Sequence, residues 1–327
     1  MEQYAFVPAR GGIVAVDGRL PRLDEIAPTR FLRVAQHVDG DPPMRLRLFE
    51  AADTDGVPPA DVAVPERLRA GFDQCVAELR GAPVPAGRPP WARPGWHEQA
   101  EDWAGMPLEQ VRAWPLSAVL RNGDVFFKAT MLPLFAAEPA VTEAVGMPPV
   151  LKADRERGWM LVERVAGDHG TDHHGALRAI AAIHRAWTRR VDEALTLGAH
   201  DRRAPSAVPH TLIHGDFHPW NVLDSTIIDW SDAAVGNPLH DVNHYLLNVE
   251  DEQRYELLAV YSSVWGDDVA EAADACEPET YEFIAQSYAW ITAALAPDDR
   301  WWFAREEERW LARASDVRAG KRPSRDT

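Results

Sequence analysis

Three side chains in one short stretch have the types and spacing that phosphoryl transfer requires. The segment His214-Gly215-Asp216-Phe217-His218-Pro219-Trp220-Asn221 sets an aspartate and an asparagine five positions apart, and Asp229 closes the apolar run Ile227-Ile228 just beyond it. In phosphoryl transfer a carboxylate orients the attacking hydroxyl and accepts its proton. An amide oxygen and a second carboxylate hold Mg2+ against the phosphates, because positioning and charge stabilisation supply nearly all of the catalysis. Upstream, Lys128 in Phe126-Phe127-Lys128 offers an ammonium on a long stem. Such a stem can lie along apolar strand neighbours while the charge faces the α- and β-phosphates.

His-Gly-Asp-x-x-x-x-Asn over 214–221, followed by Ile-Asp-Trp over 228–230, resembles the aminoglycoside phosphotransferase family. That family shares its fold with choline, homoserine and fructosamine kinases and with protein kinases. The resemblance covers roughly Trp96 to the C-terminus. It implies an α+β, bilobal protein kinase-like fold: a small N-lobe built on an antiparallel sheet and a mostly helical C-lobe, here preceded by a small α/β extension. It implies that Asp216 is the catalytic base, that Asn221 and Asp229 are metal ligands, and that Mg2+ and ATP, or GTP, take part. A helix glutamate pairs with the lysine in such enzymes; Glu138 is the better positional match to it and Glu143 the second. The hinge Glu163 to Val165 would offer backbone groups to the purine ring. A Gly-rich loop is missing from the sequence, so the bend Arg112 to Ser117 would take its place, with Ser117 beside a phosphate. Gly236-Asn237-Pro238 and Asp241 stand where the family often has Gly-Asp-Pro and then Asp. Asp241 is expected to cap a helix and brace the catalytic loop, and His214 to brace it through hydrogen bonds. One departure bears on Asp229: the segment 222–228 is shorter than usual for the family, and needs a tight turn at Asp224-Ser225-Thr226 to join two strands.

Around these residues the texture of the chain predicts their supports. Residues 1–90 read as a separate unit of unknown role. It holds the apolar run Ile13 to Val16, an alternating strand from Met44 to Ala51, and a helix over Val64 to Arg80. Prolines and glycines from Gly81 to Gly95 predict a linker. A nucleotide-binding N-lobe is expected over 91–165. There His97 to Ala104 reads as a short helix, and Val111 to Thr130 as three strands with an Asn122-Gly123 hairpin turn. Leu134 to Val145 reads as a helix with Pro139 in its first turn, and Gly158 to Gly167 as a strand. The catalytic and acceptor-binding C-lobe is expected over 166–327. Its first helix sets Leu177, Ile180, Ala181, His184 and Trp187 on one face, and further helices fill the rest.

Composition bounds the function. The net charge is -17 over 327 residues, from 34 basic and 51 acidic side chains. That balance argues against nucleic-acid binding, which needs a basic face, and favours cationic or neutral partners. Eleven carboxylates against one base, Arg254, lie between Glu250 and Glu282, and suggest a cationic acceptor such as an amino sugar or another basic antibiotic. Two cysteines, Cys75 and Cys276, give no disulfide framework, and a cytoplasmic setting is expected. No run is apolar enough to cross a bilayer, so no membrane partner is expected. The oligomeric state is unreadable.

Plainer readings compete at several positions. His184 on an apolar face reads as a satisfied core histidine, and His218 as a local structural residue. Trp301, Trp302 and Trp310 read mostly as core, with stacking on a substrate ring as the other use. Two other functions fit parts of the pattern. One is a metal-dependent hydrolase built on His214, Asp216, His218 and His240. The other is a catalytically inactive nucleotide-binding regulatory protein.

Overall fold

Periodicity and turn chemistry set the elements of the molecule, seen here in a computed structural model. It describes residues 2–7, 12–17, 31–37, 44–50, 82–83, 86–92, 96–113, 115–297, 300, 303 and 305–321. The helix expected over 64–80, Cys75, Trp301 and Trp302 lie outside the described residues. The chain packs as two compact units, Met1–Met131 with Trp290–Arg305, and Leu132–Ala289 with Glu306–Thr327.

In the first unit, β1 (Glu2–Val7), β2 (Gly12–Asp17), β3 (Phe31–His37) and β4 (Met44–Glu50) form an antiparallel sheet in the order β2-β1-β3-β4. The expected runs at 13–16 and 44–51 are β2 and β4. The stretch read as a linker instead packs closely: Arg88, Pro89 and Trp91 are buried. A Cβ on Gly87 would stand 2.2 Å from the Ala294 carbonyl oxygen, and its φ is +82°, so only glycine fits there. Helix α1 (Trp96–Ala104) buries Trp96 and Ala100, one turn apart. Trp96 and Trp103 both meet the ring of Phe127 edge-on, at 5.9 and 5.8 Å.

Phe127 belongs to a meander of β5 (Glu109–Ala113), β6 (Ser117–Asn122) and β7 (Val125–Thr130). The hairpin turn sits one residue later than expected. Asn122 pairs with Val125, so the loop is Gly123-Asp124. Only Gly123 of the two has positive φ, +55°, as a turn with glycine in its first central position requires. Along β7 the alternation buries Phe127 and Ala129 and leaves Lys128 half-buried, paired in register with Val119.

In the second unit, helix α2 runs Glu138–Val145, starting four residues later than read, with Pro139 in its first turn. A hairpin of β8 (Val150–Asp154) and β9 (Trp159–Glu163) follows; β8 was not anticipated. Helix α3 (His173–Trp187) is capped by Asp172, whose side chain accepts from the Gly175 N–H. It buries Leu177, Ile180, Ala181, His184 and Trp187, the expected face. After α4 (Val191–Thr196) come β10 (His200–Asp201), β11 (Thr211–Ile213), the short hairpin β12 (Val222–Leu223) and β13 (Thr226–Ile227), and β14 (Ala234–Gly236). β14 lies between β10 and β11. Helices α5 (Leu239–Leu246), α6 (Arg254–Trp265), α7 (Ala270–Ala294) and α8 (Glu306–Arg318) complete the chain. One apolar core joins α3, α5 and α6 to the small strands, through residues such as Leu177, Phe217, Trp230, Tyr245 and Tyr261.

Candidate active site

Strand β11 is buried along its whole length and delivers the chain into the 214–221 loop. Gly215 makes the sharp exit possible: its φ is +85°, and a Cβ there would stand 2.1 Å from the Asp232 carbonyl oxygen. The loop is then fixed from α5. Asp241 accepts the backbone N–H of His214 at 2.6 Å and that of Gly215 at 2.9 Å, and the His184 Nε2–H at 3.1 Å. Burial works to raise this carboxyl, but the His184 hydrogen bond and the nearby charges hold it below the usual range. Asp241 therefore braces the loop but caps no helix. The N-cap position of α5 is Pro238, and just before it the Asn237 side chain accepts the Leu239 N–H at 3.0 Å. His184 is satisfied on both nitrogens, since its Nδ1 lies 3.0 Å from the Tyr261 hydroxyl.

His214 is fully buried, and its tautomer follows from its partners. Nδ1 accepts the Asp216 N–H at 3.2 Å, so Nε2 carries the proton and donates to the Ile228 carbonyl at 2.9 Å. Burial pushes its pKa down, in keeping with a neutral ring. The imidazole thus ties the backbone of Asp216 to the residue that precedes Asp229.

Asp216 is half-exposed, and three side chains meet its carboxylate. The Asn221 amide nitrogen donates to it at 3.2 Å and to the Asp216 carbonyl at 2.9 Å. His218 Nε2 lies 3.3 Å from Oδ2 and His244 Nδ1 3.8 Å from Oδ1. Enclosure works to raise Asp216, but the His218 hydrogen bond, with the charges of His218, His244 and His214, holds it well below the ordinary carboxylate range. Enclosure works to lower His218, and its contact with Asp216 lifts it above the ordinary imidazole value. His244 is pushed down to about 4, chiefly by burial.

The short hairpin closes as a two-residue loop. Leu223 pairs with Thr226, and Asp224 takes a positive φ of +51°. Asp224 is held there by its own N–H, which donates to the Asp168 carbonyl at 3.1 Å. The reduced length therefore still brings the chain to Asp229. Asp229 has φ +66°, a region costly for a residue with a side chain and often found at functional sites. The Ser231 hydroxyl lies 2.9 Å from its Oδ1 and 3.0 Å from Asp232 Oδ2. Asp232 is pushed up to about 7, first by burial and then by Asp216 and Asp229.

The loop residues Asp216, Asn221, His214 and Asp241 are thus joined by direct bonds, with Asp229 following His214's partner Ile228. The other expected site residues are placed as follows. Lys128 and Ser117 belong to β7 and β6 of the first unit. In the second, Glu138 opens α2 and is buried, while Glu143 is exposed and pairs with Arg155 at 2.8 Å. Glu163 ends β9, exposed, and Val165 follows it half-buried. Sequence reasoning missed His244 and Asp232. His244 stands three positions after Asp241, on the same helix face, and that spacing was the available signal.

His218 and His244 also line a cleft of about 920 Å³ in the second unit. Five carboxylates and four basic side chains share its walls. The acidic stretch read from the sequence is partly neutralised here: Arg254 lies 3.0 Å from Asp274 and 3.5 Å from Glu277.

A model of the phosphotransferase enzyme family matches residues 20–276. The chain belongs to that family. Choline kinase LicA from Streptococcus pneumoniae is similar to this phosphotransferase in fold, with a TM-score of 0.50 and 12% identity over 69% of this chain and 98% of the other. Macrolide 2'-phosphotransferase MphH from Brachybacterium faecium gives 0.48 and 16% over 68% and 98%. A choline/ethanolamine kinase family protein from Mesorhizobium loti gives 0.43 and 18% over 64% and 87%. No curated protein sequence matches the chain. The phosphotransferase has the α+β kinase-like fold. Among its described residues, no helix is long and apolar enough to cross a membrane. A hydrolase site on His214, Asp216, His218 and His240 does not form. Both His214 nitrogens are committed to the backbone, and His240 instead lies 3.2 Å from Thr280 and stacks on Phe283 at 4.8 Å.

Proposed function

We propose that this phosphotransferase is a small-molecule kinase, which moves the γ-phosphoryl group of ATP, or of GTP, to a hydroxyl of a cationic acceptor. One observation carries the reading. Asp216 is held ionised by its neighbours and is flanked by two histidines that line a cleft. An ionised carboxylate at the edge of a cleft is what orients a hydroxyl and accepts its proton. In this reading Asp216 is the catalytic base. Lys128 and Ser117 serve the phosphates, and the hinge from Glu163 to Val165 takes the purine.

Asn221 and Asp229 fit as Mg2+ ligands. The Asn221 amide nitrogen is turned to Asp216, which leaves its oxygen as the donor for a hard cation. Burial first, and then the charges of Asp216 and Asp229, lift Asp232 to about 7, and a divalent cation relieves the repulsive part of that cost. When bound, Mg2+ neutralises charge on the phosphates. Asp229→Ala is expected to weaken Mg-nucleotide binding and turnover together, with nucleotide binding in EDTA unchanged, as read by calorimetry. Equal Mg-nucleotide affinity in the two proteins would remove Asp229 from the metal site.

The carboxylates at the cleft, Glu250, Asp251 and Glu252 among them, outnumber its basic side chains by five to four; that surplus supports the positive charge of the acceptor, because carboxylates facing a cleft concentrate cations through a focused field. The test is a nucleotide-consumption screen over amino sugars, aminoglycosides, peptide antibiotics, choline and amino alcohols. For the best acceptor, KM is expected to rise with ionic strength, as the Debye length falls from about 10 Å at 0.1 M to about 3 Å at 1 M. A neutral or acidic best acceptor with a salt-independent KM would leave the carboxylates as a solubility feature.

A further inference from the structure

We propose that Trp220 is a stacking platform for the acceptor: it selects a molecule with a ring over an open-chain one, and sets that ring's hydroxyl against Asp216. This rests on the kinase reading above and narrows its acceptor. Trp220 is 64% exposed, in the turn Pro219–Asn221. Isolated exposed apolar side chains are ordinary. Here, however, a second one, Tyr255, at 56%, lines the same cleft.

The mounting of Trp220 is what makes it a platform. On one side, Pro219 is packed against Gly170, where an added Cβ would stand 2.7 Å from the Pro219 Cβ. On the other, the Asn221 N–H donates to the His218 carbonyl at 2.9 Å, and the Asn221 side chain holds Asp216. The indole is therefore carried by the same short turn that fixes the proposed base, so little ordering is needed when a ligand lands on it. Its ring meets the edge of His218 at 6.0 Å, and His218 Nε2 lies 3.3 Å from Asp216. A ring laid on the indole face thus brings its substituents to the base.

The size of the cleft points the same way. About 920 Å³ lies near the upper end of small-molecule sites, which run from about 300 to about 1,000 Å³. An open-chain amino alcohol would leave most of that space to water. A sugar or aromatic ring offers the flat apolar face that an indole binds, and a charged amine on it adds attraction to the ring face.

The experiment compares wild type, Trp220→Ala and Trp220→Phe. Glucosamine and kanamycin serve as ring probes, choline and ethanolamine as open-chain probes. Binding is measured by calorimetry and NMR saturation transfer, with Mg2+ and a non-hydrolysable ATP analogue present, and nucleotide affinity is measured separately. The ring probes are expected to bind wild type more tightly than the open-chain probes. Their Kd should rise roughly tenfold or more in Trp220→Ala, with much of the affinity kept in Trp220→Phe, and nucleotide Kd unchanged in both. Equal ring-probe affinity in Trp220→Ala and wild type would overturn the proposal. So would open-chain probes binding as tightly as ring probes, or wild type binding no ring probe. Each of these leaves the kinase reading intact so long as Mg-nucleotide binds, whereas loss of nucleotide binding in wild type would sink the kinase reading itself. Because Trp220 is exposed, its replacement is compatible with folding.

Discussion

Asp216→Ala is expected to lower kcat by roughly two to four powers of ten, the usual worth of a positioned general base, with nucleotide affinity unchanged. The separation of the two effects follows from the bonding around the loop. Asn221 loses one acceptor, the carboxylate at 3.2 Å, but keeps the Asp216 backbone carbonyl at 2.9 Å. Its amide oxygen therefore stays where a metal would find it. The loop's main tethers are also untouched, since they run from the His214 and Gly215 N–H groups to Asp241. Asp216→Asn keeps the shape and removes the basicity, so it should fall nearly as far as Asp216→Ala. Steady-state kinetics with the best acceptor, alongside calorimetric titration with Mg-nucleotide, reads both quantities. Wild-type turnover in either variant would remove Asp216 from the chemistry.

Asp241→Ala is expected to cost stability as well as activity. Three buried donors converge on this carboxylate: two backbone N–H groups and the His184 ring. Removing it strands all three away from water, and breaking such a buried arrangement costs about 3–5 kcal/mol. Asp241→Asn is no rescue, because its amide offers one acceptor oxygen to three donors and turns an NH2 against them. The pH dependence has a definite sign. The folded pKa of Asp241 is lowered, so its contribution is fully present above the unfolded carboxylate value of about 3.9 and is lost as pH falls through the folded value. The stability gap between wild type and variant should therefore be flat above about pH 5 and shrink in stronger acid. Denaturant unfolding at several pH values, with amide exchange at His214 and Gly215, measures it. A variant as stable as wild type, with those amides still protected, would show that the loop is held by something else.

The catalytic loop was legible because its chemistry is local in sequence: Gly215, Asp216 and Asn221 sit within seven residues, and the bonds among them are short-range. The helical face of α3 was legible for the same reason, since one period describes it. Three kinds of feature were not. His244 is marked only by its spacing from Asp241 and Asp232 by nothing, and the nearness of both to Asp216 is a product of tertiary folding. Segment 81–95 misled through composition. Proline and glycine density reads as a linker, yet Trp91 is 2% exposed and Gly87 is glycine because a backbone lies against it. The family match, which starts at residue 20, runs through this segment without a break. The acidic stretch from Glu250 to Glu282 was legible only in part, because Arg309 and Arg313, which share its cleft, come from α8, more than twenty residues further on. Electrostatic character belongs to a surface, and a sequence window holds only part of one.

The division of the chain has a consequence for its biosynthesis. The backbone passes between the two units three times, after residues 131, 289 and 305. The first unit therefore cannot be completed when its long N-terminal portion leaves the ribosome, because its remaining part, 290–305, emerges 174 residues later. At the usual 5–20 residues per second, the nascent chain carries that unfinished unit for roughly 10–35 s. The second unit is also incomplete until 306–327 arrive. Each unit thus waits for residues beyond 289 before it can close, so the two mature late and nearly together instead of one well ahead of the other.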